Sequence, residues 1–258
     1  MTVFDLTDDA FLGGKLHLLQ PAKGFRSGLD AILLAAATPI PSDSSCRVLD
    51  AGAGVGAVGL AIAARCPCVR VTLVEIDPEF AELAQRNVER NQLTGRVEVV
   101  VADISAGGKA IHDPSRPDGL APARFDHVVT NPPYFAVGAG TPPAIRNKAS
   151  AHQMSGGSLD RWVAFLATAA VADATLTMIH RADALAEVLK SLDGRFGGIR
   201  ILPVQPRLEA AATRVIITAI KGSRAPLAIK PSLIVHDAEG RFLPTIDAIL
   251  RHGAGLAM

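Results

Sequence analysis

The chain has 258 residues, a hydrophobic content of 49% and a formal net charge of +1 at pH 7. This length and apolar content favour one well-filled globular domain, with or without appendages, and exclude a disordered chain. The near-neutral balance neither requires nor excludes a nucleic-acid partner, which a local basic patch would have to bind. The acidic N-terminus lacks the pattern of a secretory signal, and the apolar stretches are too short to span a bilayer, so we expect a soluble, cytoplasmic protein.

Three cysteines, Cys46, Cys66 and Cys68, are present. Cys66 and Cys68 are separated by one proline, which is too close for an ordinary disulfide. No second cysteine pair completes a zinc site. The set therefore predicts buried thiols in a reducing compartment and no metal cofactor.

Residues 1–45 are interpreted as an N-terminal extension and residues 46–258 as one compact unit. A glycine pair predicts a turn in the extension, and Leu16–Gln20 is predicted to form a short strand after it. Ser27 and Asp30 have the spacing of a capping box, so a helix is predicted to begin there.

The first clear buried strand, Arg47–Leu49, runs into the turn Asp50-Ala51-Gly52-Ala53-Gly54-Val55-Gly56. The alternating glycines let the backbone turn sharply and let a ligand approach the main chain closely. A helix through Ala63 follows, and its N-terminal amides suit a polar or anionic group. The turn is therefore predicted to bind a ligand.

The same glycines also fit a second kind of site. Gly54, Gly56 and Gly59 have the spacing of the dinucleotide fingerprint, and Glu75 stands near the expected position of its ribose-binding acid. A nicotinamide-dependent oxidoreductase therefore stays open as an alternative.

Two further strands are predicted to deliver carboxylates to the same edge of the sheet. Val71–Val74 leads into Glu75 and Ile76, where the carboxylate could accept both hydroxyls of a ribose and the isoleucine could lie against a purine. Val97–Val101 leads to Asp103, which could accept a hydrogen bond from an adenine amino group. The alternative for Asp103 is a solvated loop carboxylate.

The fourth strand, Phe125–Thr130, ends at Asn131-Pro132-Pro133-Tyr134. The two prolines stop the sheet and stiffen the turn, because each fixes φ and neither can donate a ladder hydrogen bond. The asparagine carboxamide and the carbonyls beside the prolines are therefore held at the carboxyl edge, where open α/β sheets bind ligands. Oxygen acceptors followed by an aromatic ring suit a planar substrate with an amino group, whereas the simpler interpretation is a proline turn with a surface tyrosine.

Residues 135–157 are polar, rich in glycine and without acidic side chains. A segment of this kind inside a compact domain is usually functional. Its cationic side chains, Arg146 and Lys148 among them, fit a cover over an anionic substrate.

Beyond it, a helix beginning near Ser158 is predicted to place Trp162 in the core, and Thr175–Ile179 is predicted to be the fifth strand. Ile199–Val204 and Thr213–Ile220 are predicted to pair as the next two strands. A basic strip beside them is a candidate for phosphate contacts. It consists of Arg195, Arg200, Arg207, Arg214, Lys221, Arg224 and Lys230.

The glycine-rich turn, Glu75, Asp103 and Asn131–Tyr134 occur in this order on successive predicted strands. This arrangement resembles the class I S-adenosylmethionine-dependent methyltransferases. More narrowly, it is similar to the methyltransferase small domain group and, within it, to the bacterial enzymes that methylate the exocyclic amine of an adenine beside the anticodon of valine tRNA. The resemblance implies a Rossmann-like α/β fold: a seven-stranded, mostly parallel sheet with helices on both faces and an antiparallel C-terminal strand.

The resemblance also implies roles for individual residues. Gly52, Gly54 and Gly56 would wrap the methionine part of S-adenosylmethionine, with Asp50 supporting its ammonium group directly or through water. Glu75 would bind the ribose, and Ile76 and Asp103 the adenine. Residues 1–45 would close over this site, with Phe25 and Arg26 as further cofactor contacts, and Asn131 would border the cofactor as well as the substrate.

The implied reaction is methyl transfer to an amine of RNA, in particular tRNA. Catalysis would fall to the segment Asn131-Pro132-Pro133-Tyr134, with Tyr134 stacking on the base and Arg146 and Lys148 as substrate contacts. Three alternatives stay open from the sequence: a protein-glutamine methyltransferase of the release-factor type, the nicotinamide oxidoreductase, and a non-catalytic RNA-binding module.

Overall fold

The computed structural model describes residues 5–24, 26–105, 120–133 and 158–258, with Ser158 described by its backbone alone. The described chain begins with a hairpin of two antiparallel strands, β1 (Leu6–Phe11) and β2 (Leu16–Pro21), joined by a 3₁₀ turn. The turn uses Gly13 and Gly14 at φ values of 66° and 88°, which glycine adopts without the strain of a Cβ atom. The sequence predicted this turn and β2, but β1 had not been identified.

The remaining strands and helices follow in alternation along most of the chain. The strands are β3 (Arg47–Ala51), β4 (Arg70–Glu75), β5 (Val97–Val101), β6 (Phe125–Thr130), β7 (Ala170–Arg181), β8 (Phe196–Arg207), β9 (Arg214–Lys221), β10 (Ala228–Ile229) and β11 (Leu233–His236). The helices are α1 (Leu29–Ala37), α2 (Ala57–Arg65), α3 (Pro78–Arg90), α4 (Ser158–Ala169), α5 (Leu185–Leu192) and α6 (Pro244–His252).

Over the described residues, β3 to β11 form one nine-stranded sheet in the order β10-β8-β9-β7-β6-β3-β4-β5, with β11 also pairing β8. Strand β9 runs antiparallel to both of its neighbours, and the other pairings in this sheet are parallel. The predicted α/β fold class is therefore confirmed. The expected seven strands are present, and the short strands β10 and β11 extend the sheet beyond β8.

Helices cover both faces of the sheet, as predicted. On one face, α1, α2 and α3 pack on side chains such as Val48 and Val129, and α6 joins the same core. On the other face, α4 and α5 pack on the neighbouring side chains Leu49 and Val128. Because successive residues of a strand point to opposite faces, the central strands need apolar side chains at nearly every position. Among the described helices, none is long and apolar enough to cross a membrane.

The hairpin is attached to α3 by two asparagines one helical turn apart. Asn91 accepts from the amide of His17 at 2.9 Å and donates to its carbonyl at 2.7 Å. Asn87 makes the same pair of bonds to Leu19, at 2.7 and 3.1 Å. Four helical residues rise about 6 Å and two strand residues about 6.6 Å, so the two side chains match alternate residues of β2.

The start of α1 differs from the prediction. Its N-cap is Gly28, and no side chain makes a capping hydrogen bond there, so the predicted capping box of Ser27 and Asp30 is wrong. The Ser27 amide instead donates to the side chain of Gln20 at 2.8 Å. The carboxylate of Asp30 forms an ion pair with Arg214 of β9 at 2.9 Å, which ties α1 to the sheet.

Several members of the basic strip bond within the chain. Arg195 pairs with Asp160 at 2.7 Å, and Lys221 donates to the carbonyl of Ala170 at 2.6 Å. Arg214 is the partner of Asp30 described above. These three cations therefore stabilise contacts between elements, which is a simpler explanation for them than phosphate binding.

Candidate functional site

The carboxyl ends of four neighbouring parallel strands bring the predicted site residues to one edge. Ala51 at the end of β3 is paired with Thr130 of β6 and with Val74 of β4, and Glu75 is paired with Val101 of β5. Gly52 and Asn131 follow directly beyond their strand ends, and Asp103 stands two residues beyond Val101. The strand order reverses here, because the chain runs outward from β3 to β5 and then returns to β6. Ligands of open α/β sheets bind at such a switch point.

The glycine-rich turn after β3 is sharp, as the sequence predicted, and its glycines adopt left-handed backbone conformations. Gly52, Gly54 and Gly56 have φ values of 73°, 57° and 88°. The amides of Gly52 and Ala53 both donate to the carbonyl of Val74, at 2.8 and 2.9 Å. The turn is therefore fixed against the end of β4 rather than extending freely from the sheet.

Two of the glycines in the dinucleotide-like spacing are explained by packing. A Cβ atom on Gly56 would lie 2.9 Å from Leu73 Cδ1, and one on Gly59 would overlap the same leucine side chain. Leu73 is fully buried in β4, beneath the first turn of α2. This part of the pattern is therefore required by the core and gives no support to a dinucleotide site.

Glu75 braces the glycine turn. Its Oε2 accepts a hydrogen bond from the Gly54 amide at 2.8 Å, and its Oε1 accepts from the amides of Ile76 and Asp77 at 2.9 Å each. Burial raises the pKa of this carboxyl, against the lowering effect of the three amides. The bonds fix the carboxylate beside the turn, where its remaining acceptor capacity can serve a hydroxyl group.

Asp50 lies under the turn, with 1% of its surface exposed. Its Oδ2 accepts a hydrogen bond from the Gly59 amide at 2.8 Å, inside the first turn of α2. Burial raises the pKa of Asp50 to about 7, while the Gly59 amide opposes the shift and the charge of Glu75 adds to it. The hydrogen bond of Asp50 is thus to the first turn of α2, and its contact with the ammonium group of S-adenosylmethionine stays a prediction.

Asp103 and Ile76 stand on the β4 and β5 side of the site. The carboxylate of Asp103 accepts from the Ser105 amide at 2.8 Å, which orders the backbone directly after β5. The amide of Ala102 donates to the carbonyl of Glu75 at 2.9 Å and holds the two strand ends together. Ile76 is half-buried and follows Glu75 in the chain, so an apolar residue and two carboxylates stand at the ends of two neighbouring strands.

On the other side of the turn, β6 ends at Thr130, which is fully buried. Its hydroxyl donates to the carbonyl of Ala51 at 2.8 Å, so the last residues of β3 and β6 are joined across the edge. Asn131 is half-buried, and Pro132 is buried behind it. The asparagine is therefore positioned one residue beyond a fixed point and next to the glycine turn.

Trp162 of α4 is a functional candidate that the sequence analysis had assigned to the core alone. Its indole N–H donates to the hydroxyl of Thr130 at 2.9 Å. Its ring lies against Gly52, where a Cβ atom would be 2.8 Å from Cζ2 and 2.9 Å from Cη2. The sequence offered a buried helical tryptophan but no signal that it would reach the strand ends.

The remaining predicted residues are either bonded elsewhere or outside the described part of the chain. Arg26 bonds to the N-terminal hairpin, donating to Asp9 Oδ2 at 2.7 Å and to Thr7 Oγ1 at 2.8 Å. Four other candidates lie outside the described residues: Phe25, Tyr134, Arg146 and Lys148. Across the part of the chain that the structure covers, no three His, Cys, Asp or Glu side chains are grouped as a metal site would require.

A cleft of about 190 Å³ lies at the opposite, amino edge of the same strands. Its walls carry the arginines Arg47, Arg70, Arg96 and Arg124. Arg96 donates to the carbonyls of Ala63 and Cys66 at the end of α2, at 3.1 and 3.2 Å. The cleft is a strand length away from the carboxyl edge, so it is not part of the site described above.

Comparison with known proteins indicates the family to which the chain belongs. Residues 29–164 match the family model of the methyltransferase small domain. A curated relative from Porphyromonas gingivalis strain ATCC 33277, named tRNA1(Val) (adenine(37)-N6)-methyltransferase, is 29% identical over 245 residues, covering 92% of this chain and 91% of the relative. A relative of the same name from Bacteroides fragilis strain YCH46 is 36% identical over 122 residues, so the match spans only 47% of this chain and 46% of that relative.

Solved structures show the same fold. The crystal structure of a protein described as a predicted O-methyltransferase from Agrobacterium tumefaciens has a TM-score of 0.73 and 33% identity, covering 89% of this chain and 99% of that one. An S-adenosylmethionine-dependent O-methyltransferase from Thermotoga maritima shares the fold at a TM-score of 0.51 and 19% identity, over 79% of this chain and 68% of that one. The chain therefore belongs to the methyltransferase small domain family, with the fold of S-adenosylmethionine-dependent methyltransferases and S-adenosylmethionine as its cofactor.

Proposed function

We propose that this protein transfers the methyl group of S-adenosylmethionine to the exocyclic amine of an adenine in tRNA. The observation that carries the proposal is the position of Asn131, one residue beyond Thr130, which is hydrogen-bonded to the end of β3 just before the glycine turn. The names of the Porphyromonas and Bacteroides relatives support an adenine of valine tRNA as the substrate.

The side chains at the edge fit the chemical parts of the cofactor. The turn at Gly52, Gly54 and Gly56 lets a methionine moiety approach the backbone. Glu75 and Asp103 offer carboxylate oxygens to hydroxyl and amino groups, and Ile76 offers an apolar surface to a purine. This set is not specific to a nicotinamide cofactor, because the spacing of Gly56 and Gly59 follows from packing on Leu73.

The proline-stiffened segment fits an amine as the methyl acceptor. S-adenosylmethionine supplies an activated methyl group, so the protein has mainly to hold a weak nucleophile in line with it. We assign the Asn131 side-chain oxygen and the Pro132 carbonyl as acceptors for the two N–H bonds of the amine. These bonds would favour tetrahedral geometry at the nitrogen and stabilise the positive charge that develops there.

This arrangement favours an amine over a hydroxyl group, although the Agrobacterium protein is named for O-methyl transfer. Two acceptor oxygens match the two hydrogens of an amine, whereas a hydroxyl group has one. A side-chain amide of glutamine would fit the same two acceptors. A protein-glutamine methyltransferase is therefore the second candidate, and the choice between them depends on the acceptor that is methylated.

The N-terminal hairpin is proposed to close over the cofactor. Its strand β2 is joined to the glycine turn by Asn87, which donates to the carbonyl of Val55 at 3.0 Å as well as bonding Leu19. Leu6 and Leu19 of the hairpin pack with Val55 and Phe80. Residues 1–45 would thus complete the site, with Phe25 and Arg26 in the covering segment and Tyr134, Arg146 and Lys148 at the RNA.

The proposal is tested by methyl transfer in vitro. The purified protein is incubated with labelled S-adenosylmethionine and either unmodified tRNA or release-factor protein, and nucleosides are analysed by mass spectrometry. We expect N6-methyladenosine in tRNA. Labelled release factor without labelled tRNA would assign the second candidate.

The role of Asn131 is tested by Asn131→Ala in the same assay. We expect a loss of turnover of about 100-fold or more with cofactor binding retained, by analogy with removal of a transition-state hydrogen bond. The matched control is Gln85→Ala, which removes an amide from the exposed face of α3. Turnover of Asn131→Ala equal to that of the control would refute the assigned role.

A further inference from the structure

Trp162 contacts the glycine turn through its ring. The Cα–H of Gly52 faces the edge of the indole so closely that a Cβ atom there, at 2.8 and 2.9 Å from the ring, would require the ring or the turn to shift. Only 7% of the tryptophan surface is exposed. The indole therefore limits how far the first part of the turn can move toward α4.

The same side chain reaches the strand that carries Asn131. Its N–H donates to Thr130 Oγ1 at 2.9 Å, and the Thr130 hydroxyl donates to the carbonyl of Ala51 at 2.8 Å. Ala51 directly precedes Gly52, and Thr130 directly precedes Asn131. One side chain from α4 is thus in contact with the residue before the catalytic segment and with the first glycine of the cofactor turn.

We propose that Trp162 is a positioning residue that sets the distance between the cofactor turn and Asn131. It acts through Gly52 and Thr130 and does not itself take part in bond making. The proposal rests on the proposed methyl transfer at Asn131.

The physical reason is the geometry that methyl transfer demands. Reacting atoms must stand roughly 3–3.5 Å apart and in line, and a displacement of about 1 Å can cost on the order of 100-fold in rate. The two halves of this site come from different strands, and their spacing depends on lateral contacts at the strand ends. The hydrogen bonds of Thr130 are one such contact, and the indole packed on Gly52 is the other.

The first test uses the protein without substitution, because Trp162 is the only tryptophan in the chain. We expect addition of S-adenosylmethionine to change the intensity or wavelength of tryptophan emission, since the indole lies against the turn that receives the cofactor. Calorimetry establishes in parallel that the cofactor is bound. Bound cofactor with unchanged emission would overturn the proposal.

The second test separates cofactor binding from turnover. Trp162→Phe keeps a ring but removes the N–H donor, and Thr130→Val removes the hydroxyl at constant shape. In both we expect kcat to fall by about tenfold or more while the Kd for S-adenosylmethionine changes by less than about threefold. Thr130→Ser, which keeps the hydroxyl, should restore most of the lost kcat.

Phe165→Leu is the structural control, because Phe165 is a fully buried aromatic residue of the same helix. It should lower the melting temperature with kcat near that of the unsubstituted protein. If kcat instead falls in proportion to the melting temperature in all three buried variants, Trp162 acts through stability alone and the proposal fails.

Failure of the proposed function has a different signature. If tRNA is not methylated by the unsubstituted protein, the emission change and the calorimetric Kd still report on Trp162 and the turn, because neither measurement needs the RNA. The kcat values of the variants and the unsubstituted protein are then compared with the acceptor that the protein does methylate.

Discussion

Asn87 of α3 forms three hydrogen bonds to the main chain of two other segments, and its pairing with Leu19 uses both backbone groups of that residue. The side chain is fully buried. It therefore joins the N-terminal hairpin, α3 and the glycine turn at one point. A buried amide with its donors and acceptor engaged fixes a single arrangement, because every alternative leaves polar groups without partners.

Asn87→Ala is expected to lower the free energy of unfolding by about 3 kcal/mol or more, because it leaves the half-buried amide and carbonyl of Leu19 and the buried carbonyl of Val55 without this partner. Asn91→Ala, one turn along the same helix and more exposed, should cost about 1 kcal/mol. Urea denaturation measures both. Equal costs would show that burial of the Asn87 contacts does not contribute as described.

Asp50 predicts a pH dependence of stability. Its pKa is about 7 in the folded protein and ordinarily 3.8, so the folded state holds the proton more tightly between these values. The contribution of protonated Asp50 to the free energy of unfolding is therefore fully present below about pH 4. It is lost as the pH rises through 7, and the loss is on the order of 4 kcal/mol.

Asp50→Asn removes that titration and tests the sign. The variant should be more stable than the unsubstituted protein at pH 8, and its stability should fall less between pH 4 and pH 7. Denaturation at several pH values measures the difference, in which contributions of other titrating groups cancel. A variant that is less stable at pH 8 would contradict the assignment. Weaker cofactor binding is expected at the same time, because the resemblance places Asp50 at the ammonium group.

Gly52→Ala should destabilise the protein for two reasons. The left-handed φ of 73° costs an alanine about 1–2 kcal/mol. The added methyl group also meets the indole of Trp162, and such overpacking costs about 1–3 kcal/mol. Gly14→Ala is the matched control, because it has a φ of 88° with no atom within 4 Å of the added Cβ. Thermal unfolding should show a larger loss at Gly52, and equal losses would rule out the contact with the indole.

S-adenosylmethionine should stabilise the protein, whereas NAD should not. At a concentration of about 100 times Kd, one ligand contributes about 2.7 kcal/mol, which corresponds to a rise in Tm of about 5–10 °C in a protein of this size. A comparable shift with NAD would show that the site accepts a different cofactor.

Glu75→Gln should bind the cofactor at least tenfold more weakly, because the Gly54 amide and the ribose would lose an ionised acceptor.

The sequence predicted the parts of the fold that local patterns determine. The apolar runs of the central strands, the glycines before α2 and the prolines after Thr130 each have a local physical cause, and they lie where expected. Strand β1 was missed because its sequence, Leu6–Phe11, contains two aspartates and one threonine in six residues. Pairing with β2 and the packing of Leu6 on Val55 stabilise this strand, although its own sequence has no clear strand pattern.

The contacts that could not be predicted join residues far apart in the chain. Asn87 meets Leu19 across 68 positions, and Trp162 meets Thr130 across 32. Each of the two helical residues lies on a regular helix, with no local pattern to indicate its distant partner. Only the sheet order, which brings β3 beside β6 and α4 over their ends, makes the second contact possible.

The packing of two glycines on Leu73 has a consequence for interpreting related sequences. A relative with smaller side chains at both Leu73 and Val71 would have more space for alanine at Gly59, and its turn would then no longer match a dinucleotide signature, whereas Gly56 would stay glycine because its φ is 88°. Compensating exchanges between β4 and the start of α2 should therefore occur without any change of ligand. Glycine spacing in this fold therefore records the volume of the interior side chains of β4 as much as the identity of the bound molecule.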